Sequence, residues 1–172
     1  VHFACPLAPE LLSELTDLIH AANHKVSIDV GWHPEWLTSK ASWEALKKVD
    51  VFFPNEREAE LMTGESAPEA MLKKFADAGF RAVALKLGEA GSMALWDGKI
   101  IHCLPHTVSA IDTTGAGDCF NAGFISGWLD NQPPLWCLQI GNFCGALSTT
   151  GLGGISAFPD WRRAEEYMAQ YK

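Results

Sequence analysis

The chain has 172 residues, 48% hydrophobic and 20% charged, which suits one compact domain and excludes a disordered or collagen-like polymer. Its formal net charge is −8, which argues against nucleic acid as a partner, because polyanion binders carry a basic surface. Five cysteines without CxxC spacing and six histidines without HExxH exclude a disulfide scaffold and a zinc ribbon; they predict reduced thiols in a cytoplasmic protein. No apolar run reaches the about 20 residues of a membrane span, and the N-terminal residues lack a basic-then-apolar leader pattern, so no membrane association is expected.

Residues 1–5 (VHFAC) read as a short strand. Residues 10–22 show helical periodicity, with Leu11, Leu12, Leu15, Leu18 and Ile19 on one face and Asn23 as a C-terminal cap. A strand over 26–30 (VSIDV), a loop over 31–34, a helix over 42–48 and a strand over 50–53 follow. A helix begins after Asn55 with Glu56 and Glu58 in its first turn, where acids suit the helix dipole. The next helix covers 67–78 and ends at Gly79; the strand RAVALKL (81–87) leads into a tight turn framed by Gly88 and Gly91.

Strands at 92–96 and 99–104 are joined by Asp97-Gly98, a strong hairpin signal. A glycine-rich turn at 113–118 opens a helix over 116–129. Another helix starts at Pro133-Pro134 and continues to about 149. Gly151, Gly153 and Gly154 make a turn, and 160–171 reads as a terminal helix capped by Asp160. Alternating strands and helices predict an α/β fold, one domain with a mainly parallel sheet and helices on both faces.

Chemistry concentrates in IDTTGAGDCFNAGF (111–124). Gly115 and Gly117 flank Ala116 at a helix entry, where unpaired first-turn amides and the helix dipole form an anion site. Asp118 lies in that first turn. A carboxylate beside an anion site is unfavourable without a task, and here it can take a proton from an incoming hydroxyl. Neither GxGxxG nor GxxxxGK[ST] is present. The glycines alone read as an ordinary turn, with Asp118 a helix-start acid.

The stretch DTTGAGDCFNAGF resembles the second signature of the ribokinase-like (PfkB) carbohydrate kinase family. Asn55-Glu56-Arg57-Glu58 resembles that family's NxxE motif, and Lys86-Leu87-Gly88-Glu89-Ala90-Gly91 its KLGxxG nucleotide segment. The likeness runs from residue 1 to about 159 and covers the C-terminal part of the family's pattern. It implies a three-layer ribokinase-like fold whose N-terminal strands and β lid have no counterpart in this sequence.

The resemblance implies ATP-dependent phosphoryl transfer to a sugar hydroxyl, with Asp118 as base and the amides of Gly115, Ala116 and Gly117 as the anion hole. It implies that Asn55 and Glu58 hold Mg²⁺ through water, that Lys86, Gly88 and Gly91 meet the nucleotide, and that Asn142 borders the adenine. It also implies a K⁺ site at Asp112 with the carbonyls of Thr114, Ser148 and Gly153. Gly151 departs from the larger residue of many relatives. From spacing alone, Glu58 reads as a solvated helix-start acid and Lys86 as an exposed strand-end lysine. Asn142 reads as a ligand or as a satisfied buried amide.

Trp43, Trp128, Trp136 and Trp161 lie in expected helices and fill core or surface grooves, whereas Trp32 and Trp36 are the better candidates for ligand stacking. A sheet lacking its N-terminal strands exposes an edge, so self-association or a complementing N-terminal half is expected. The alternatives are a non-catalytic nucleotide-binding or assembly module, and a kinase for a nucleoside or small alcohol.

Overall fold

In a computed structural model of the chain, which describes residues 1–158, six strands form one mixed sheet in sequence order. They are β1 (His2–Phe3), β2 (Ser27–Ile28), β3 (Val51–Phe52), β4 (Ala82–Lys86), β5 (Ser92–Trp96) and β6 (Lys99–Cys103). The helices are α1 (Pro9–Ala21), α2 (Pro34–Leu37), α3 (Lys40–Leu46), α4 (Glu56–Thr63), α5 (Pro68–Asp77), α6 (Ala116–Leu129) and α7 (Pro134–Ser148). The expected helix at 160–171 and Trp161 lie outside the described residues.

The first four strands pair in parallel, with Ser27 opposite both His2 and Val51, and Phe52 opposite Val83. β4 and β5 run antiparallel from Ala82–Trp96 to Lys86–Ser92. Asp97 and Gly98 both take positive φ, 47° and 78°, as a two-residue turn between right-twisted strands requires. The strands β1 to β3 are shorter than the apolar runs that announce them, and α2 occupies the end of the expected loop at 31–34. Four residues starting at a proline leave no periodicity to read.

The described residues fall into two compact units: Val1–Gly88 with Ser92–His102, and Glu89–Gly91 with 103–158. In the first, Leu12, Ile28, Leu37, Leu46, Phe52 and Phe75 are wholly buried. Trp43 stacks on Phe75 at 5.5 Å and meets Phe80 edge-on at 5.4 Å, so it is a core residue. Helix α5 turns Met71, Leu72 and Phe75 inward, and α5 packs on β4 and β5.

In the second unit, α6 and α7 pack antiparallel through small residues. A Cβ on Gly123 would lie 2.8 Å from the Ile140 carbonyl, one on Gly127 2.6 Å from the Trp136 ring, and one on Gly141 2.8 Å from the Phe120 ring. Hydrogen side chains at these positions are what allow the two backbones to approach so closely. Trp128 and Trp136 belong to this packing.

Candidate active site

The helix α4 begins with a reciprocal cap. The Glu58 amide donates to Asn55 Oδ1 at 3.0 Å, and the Asn55 amide donates to Glu58 Oε2 at 2.9 Å. Asn55 Nδ2 also donates to Glu58 Oε1 at 2.7 Å. Sequence spacing suggests a solvated acid, yet Glu58 is 1% exposed. The Asn55 bonds satisfy a carboxylate that burial would otherwise penalise. Burial pushes the Glu58 carboxyl above its ordinary pKa and the charge of Asp29 adds to this, while the Asn55 bonds and Lys86 pull it down.

Lys86 is likewise not an exposed strand-end lysine. Its side chain is 13% exposed and its ammonium is ion-paired with Asp29. The backbone of Lys86 bridges to Asn55, and its amide donates to the Pro54 carbonyl at 3.0 Å. The fold therefore brings Asn55, Glu58 and Lys86 together at the carboxyl ends of β3 and β4. The signal for Asp29, which sequence reasoning missed, is an acid at the end of the apolar run VSIDV. Gly88 follows with φ +57°, and among the described residues, its chain neighbours aside, no atom lies within 4 Å of the place a Cβ would occupy there, leaving its backbone approachable.

In the second unit, Gly115 caps α6 with φ 75°. Among the described residues no backbone acceptor meets the amides of Gly115, Gly117 and Asp118, whereas the Ala116 amide donates to the Thr113 carbonyl at 3.2 Å. Asp118 is exposed in the first turn. This entry turn is braced from two sides. Gly145 lies where a Cβ would stand 3.1 Å from the Ala116 carbonyl, and Gly154 where one would stand 2.8 Å from the Thr114 carbonyl.

Asp112 ties the two loops together. Its Oδ1 accepts the Thr114 amide at 2.9 Å and its Oδ2 the Gly153 amide at 2.9 Å. These bonds, the one from Gly153 first, hold its pKa down at about 2. The Gly153 carbonyl accepts the Ile155 amide at 2.9 Å. Ser148 is buried with its hydroxyl on the Gly145 carbonyl at 2.8 Å. Gly151 has a local reason to be small, since a Cβ there would lie 3.1 Å from the Ala157 amide nitrogen.

Asn142 is a buried amide. It is 9% exposed, and its Nδ2 donates to the Leu104 carbonyl at 2.9 Å and to that of Cys103 at 3.4 Å. Gly91 abuts the same segment, where a Cβ would come 2.7 Å from the Pro105 nitrogen. Both residues thus shape the segment 103–105. Of the tryptophans proposed for stacking, Trp36 donates its indole N–H to the Leu7 carbonyl at 2.6 Å. Trp32, 50% exposed, carries the Arg57 guanidinium 4.8 Å above its ring. None of the five cysteines forms a disulfide. Among the described residues no helix is long and apolar enough to cross a membrane.

Residues 2–161 match the pfkB family carbohydrate kinase profile. The chain belongs to the PfkB family of carbohydrate kinases. It is 35% identical over 130 residues to ribokinase of Haemophilus influenzae, covering 73% of this chain and 42% of that protein. It is also 35% identical over 150 residues to the ATP-dependent ribose-1-phosphate kinase of Halopiger xanaduensis, covering 87% of this chain and 48% of that protein. Arabidopsis thaliana ribokinase, solved with ribose and ATP, superimposes with a TM-score of 0.82 at 25% identity over 96% of this chain and 54% of that one. This family member therefore has a ribokinase-like fold and spans about half the length of the relatives it matches.

The donor chemistry suits the ions the family resemblance implies. Asn55 and Glu58 offer the oxygen ligands that a hard cation prefers. Asp112 remains ionised at neutral pH, as a cation ligand must.

Proposed function

We propose that this chain is the nucleotide-binding and catalytic part of an ATP-dependent kinase acting on a sugar hydroxyl. The supporting observation is the entry to α6, where exposed Asp118 stands in the same turn as the Gly115 and Gly117 amides, which lack backbone acceptors among the described residues. Asp118 accepts the proton of the sugar hydroxyl as that oxygen bonds to the γ-phosphorus, and the bond from phosphorus to the ADP oxygen breaks. The Gly115 and Gly117 amides stabilise the phosphoryl charge, with Ala116 between them completing the turn.

Lys86 and the open backbone at Gly88 serve the nucleotide phosphates, and Gly91 and Asn142 belong to the nucleotide site as well, Asn142 on the adenine side. Asn55 and Glu58 would hold Mg²⁺ through water, and that ion, when bound, neutralises charge on the phosphate oxygens. K⁺ would be held by Asp112 with the carbonyls of Thr114, Ser148 and Gly153. A second polypeptide, either another copy or one supplying the N-terminal half, would cover the edge strand β1. A clean monomer by sedimentation would count against that partner.

Asp118→Asn tests the base. Phosphoryl transfer, followed as ADP release across a panel of sugars in the complete assembly, should fall by about 10²–10⁴-fold while ATP binding persists. Retained turnover would overturn the assignment. ATP binding with transfer to no sugar would favour a non-catalytic nucleotide module.

A further inference from the structure

Asp29 is the residue of the first unit whose placement the proposed chemistry does not yet use. It follows β2 directly and is held on several sides. Its amide donates to the Phe3 carbonyl at 2.9 Å, its Oδ1 accepts the Gly31 amide at 3.1 Å, and its Oδ2 accepts the Lys86 ammonium. The side chains of Asp29 and Lys86 are 14% and 13% exposed. Since β3 lies between β2 and β4, the pair reaches over the carboxyl end of the intervening strand, a span of about 10 Å between strand axes. Lys86 is anchored at both ends, its backbone by Pro54 and Asn55 and its ammonium by Asp29.

A buried ion pair is a poor source of stability, because desolvation offsets the Coulomb attraction. It is an effective way to hold a flexible four-carbon side chain in one position. The carboxyl ends of parallel strands are where open α/β sheets bind ligands. An ammonium on a long stem is mobile, and its bond to Asp29 fixes where it stands.

We propose that Asp29 is a positioning residue for nucleotide binding, which holds the Lys86 ammonium at the carboxyl end of β4 so that it is presented to the phosphates of a nucleoside triphosphate. The proposal rests on the assignment of Lys86 to the nucleotide made above. Asp29 acts on the ligand through Lys86 and needs no contact with it. Its effect should therefore disappear when Lys86 is absent, which a merely structural role would not predict.

The test is a double-mutant cycle on the full chain, reading Mg·ATP affinity by calorimetry, with a thermal melt of each variant. Asp29→Asn keeps the shape and the acceptor for Gly31 while removing the counter-charge. Asp29→Glu restores the charge and provides a second variant should the first fail to fold. The expected result is that Lys86→Met and Asp29→Asn each weaken ATP about tenfold, that Asp29→Glu recovers part of the loss, and that the double variant is no weaker than Lys86→Met alone. If Lys86→Met weakens ATP while Asp29→Asn does not, or if the two effects add, the positioning role is overturned and the nucleotide assignment survives. If the wild-type chain binds no Mg·ATP, the nucleotide assignment fails and the proposal falls with it.

Discussion

Asn55 and Glu58 cap one another: each receives the other's backbone amide, at 3.0 and 2.9 Å, and a third bond at 2.7 Å joins their side chains. The motif is a helix start and a buried acid in one. Replacing Asn55 by Ala should destabilise the fold by about 1–3 kcal/mol, because the cap is lost and a buried carboxylate loses a donor. Urea denaturation measures this; a loss of a few tenths of a kcal/mol would mean that Glu58 had found water instead.

The pH dependence of Glu58 follows from its raised pKa, caused first by burial. Below the ordinary glutamate value the group is protonated both folded and unfolded, and contributes nothing to the slope. As pH rises from there through the folded pKa, the unfolded chain releases its proton first, so stability falls. Glu58→Gln removes that dependence at the fixed loss of one acceptor. The difference in Tm between variant and wild type should therefore move in favour of Gln as pH rises above the ordinary glutamate value. A pH-independent difference would contradict the shift.

Asp112 has the opposite sign. Its pKa is lowered to about 2, first by the Gly153 amide and then by Thr114. Its contribution is present above the ordinary aspartate value and is lost as pH falls through about 2. The amide proton shifts of Thr114 and Gly153 should titrate together with that midpoint. Titration near the ordinary value would mean that the two loops are not bracketed by this side chain.

Asn142 donates to two carbonyls and cannot be replaced by an acceptor. Asn142→Ala should destabilise by about 1–3 kcal/mol by removing the donor to the Cys103 and Leu104 carbonyls. Asn142→Asp should be worse, since it sets a carboxylate against two carbonyl oxygens. Thermal melts that rank Asp above Ala would overturn this reading of the amide.

Gly123→Ala should cost about 1–3 kcal/mol by overpacking. The new methyl would stand 2.8 Å from the Ile140 carbonyl, which α7 holds in place, and 2.9 Å from Cys144 Sγ. Chemical denaturation provides the measure, and a neutral result would mean that α6 and α7 are less closely packed than described.

Much of the architecture was legible along the chain. Helices α6 and α7 were announced by the glycine-rich turn at 113–118 and by Pro133-Pro134, and the β5–β6 turn by Asp97-Gly98. These signals are local: a positive φ, a missing N–H, a periodicity. Burial was read less well. Spacing placed Glu58 and Lys86 at the surface, because a helix-start acid and a strand-end lysine are usually solvated. Glu58 is met by Asn55, only three residues earlier, but the partner of Lys86 is Asp29, just after β2 and far from it in the sequence.

The sequence by itself determined the family, the order of strands and helices apart from α2, and the GAGD turn with Asp118 in its first helical turn, because these depend on residues within a few positions of one another. Only the tertiary structure decided that Asp29 meets Lys86, 57 residues away, that Asp112 reaches Gly153, 41 away, and that Asn142 is satisfied by Leu104, 38 away. Such pairings depend on which strands become neighbours and which loops converge. A polar group taken out of water must find its partner wherever the fold brings one.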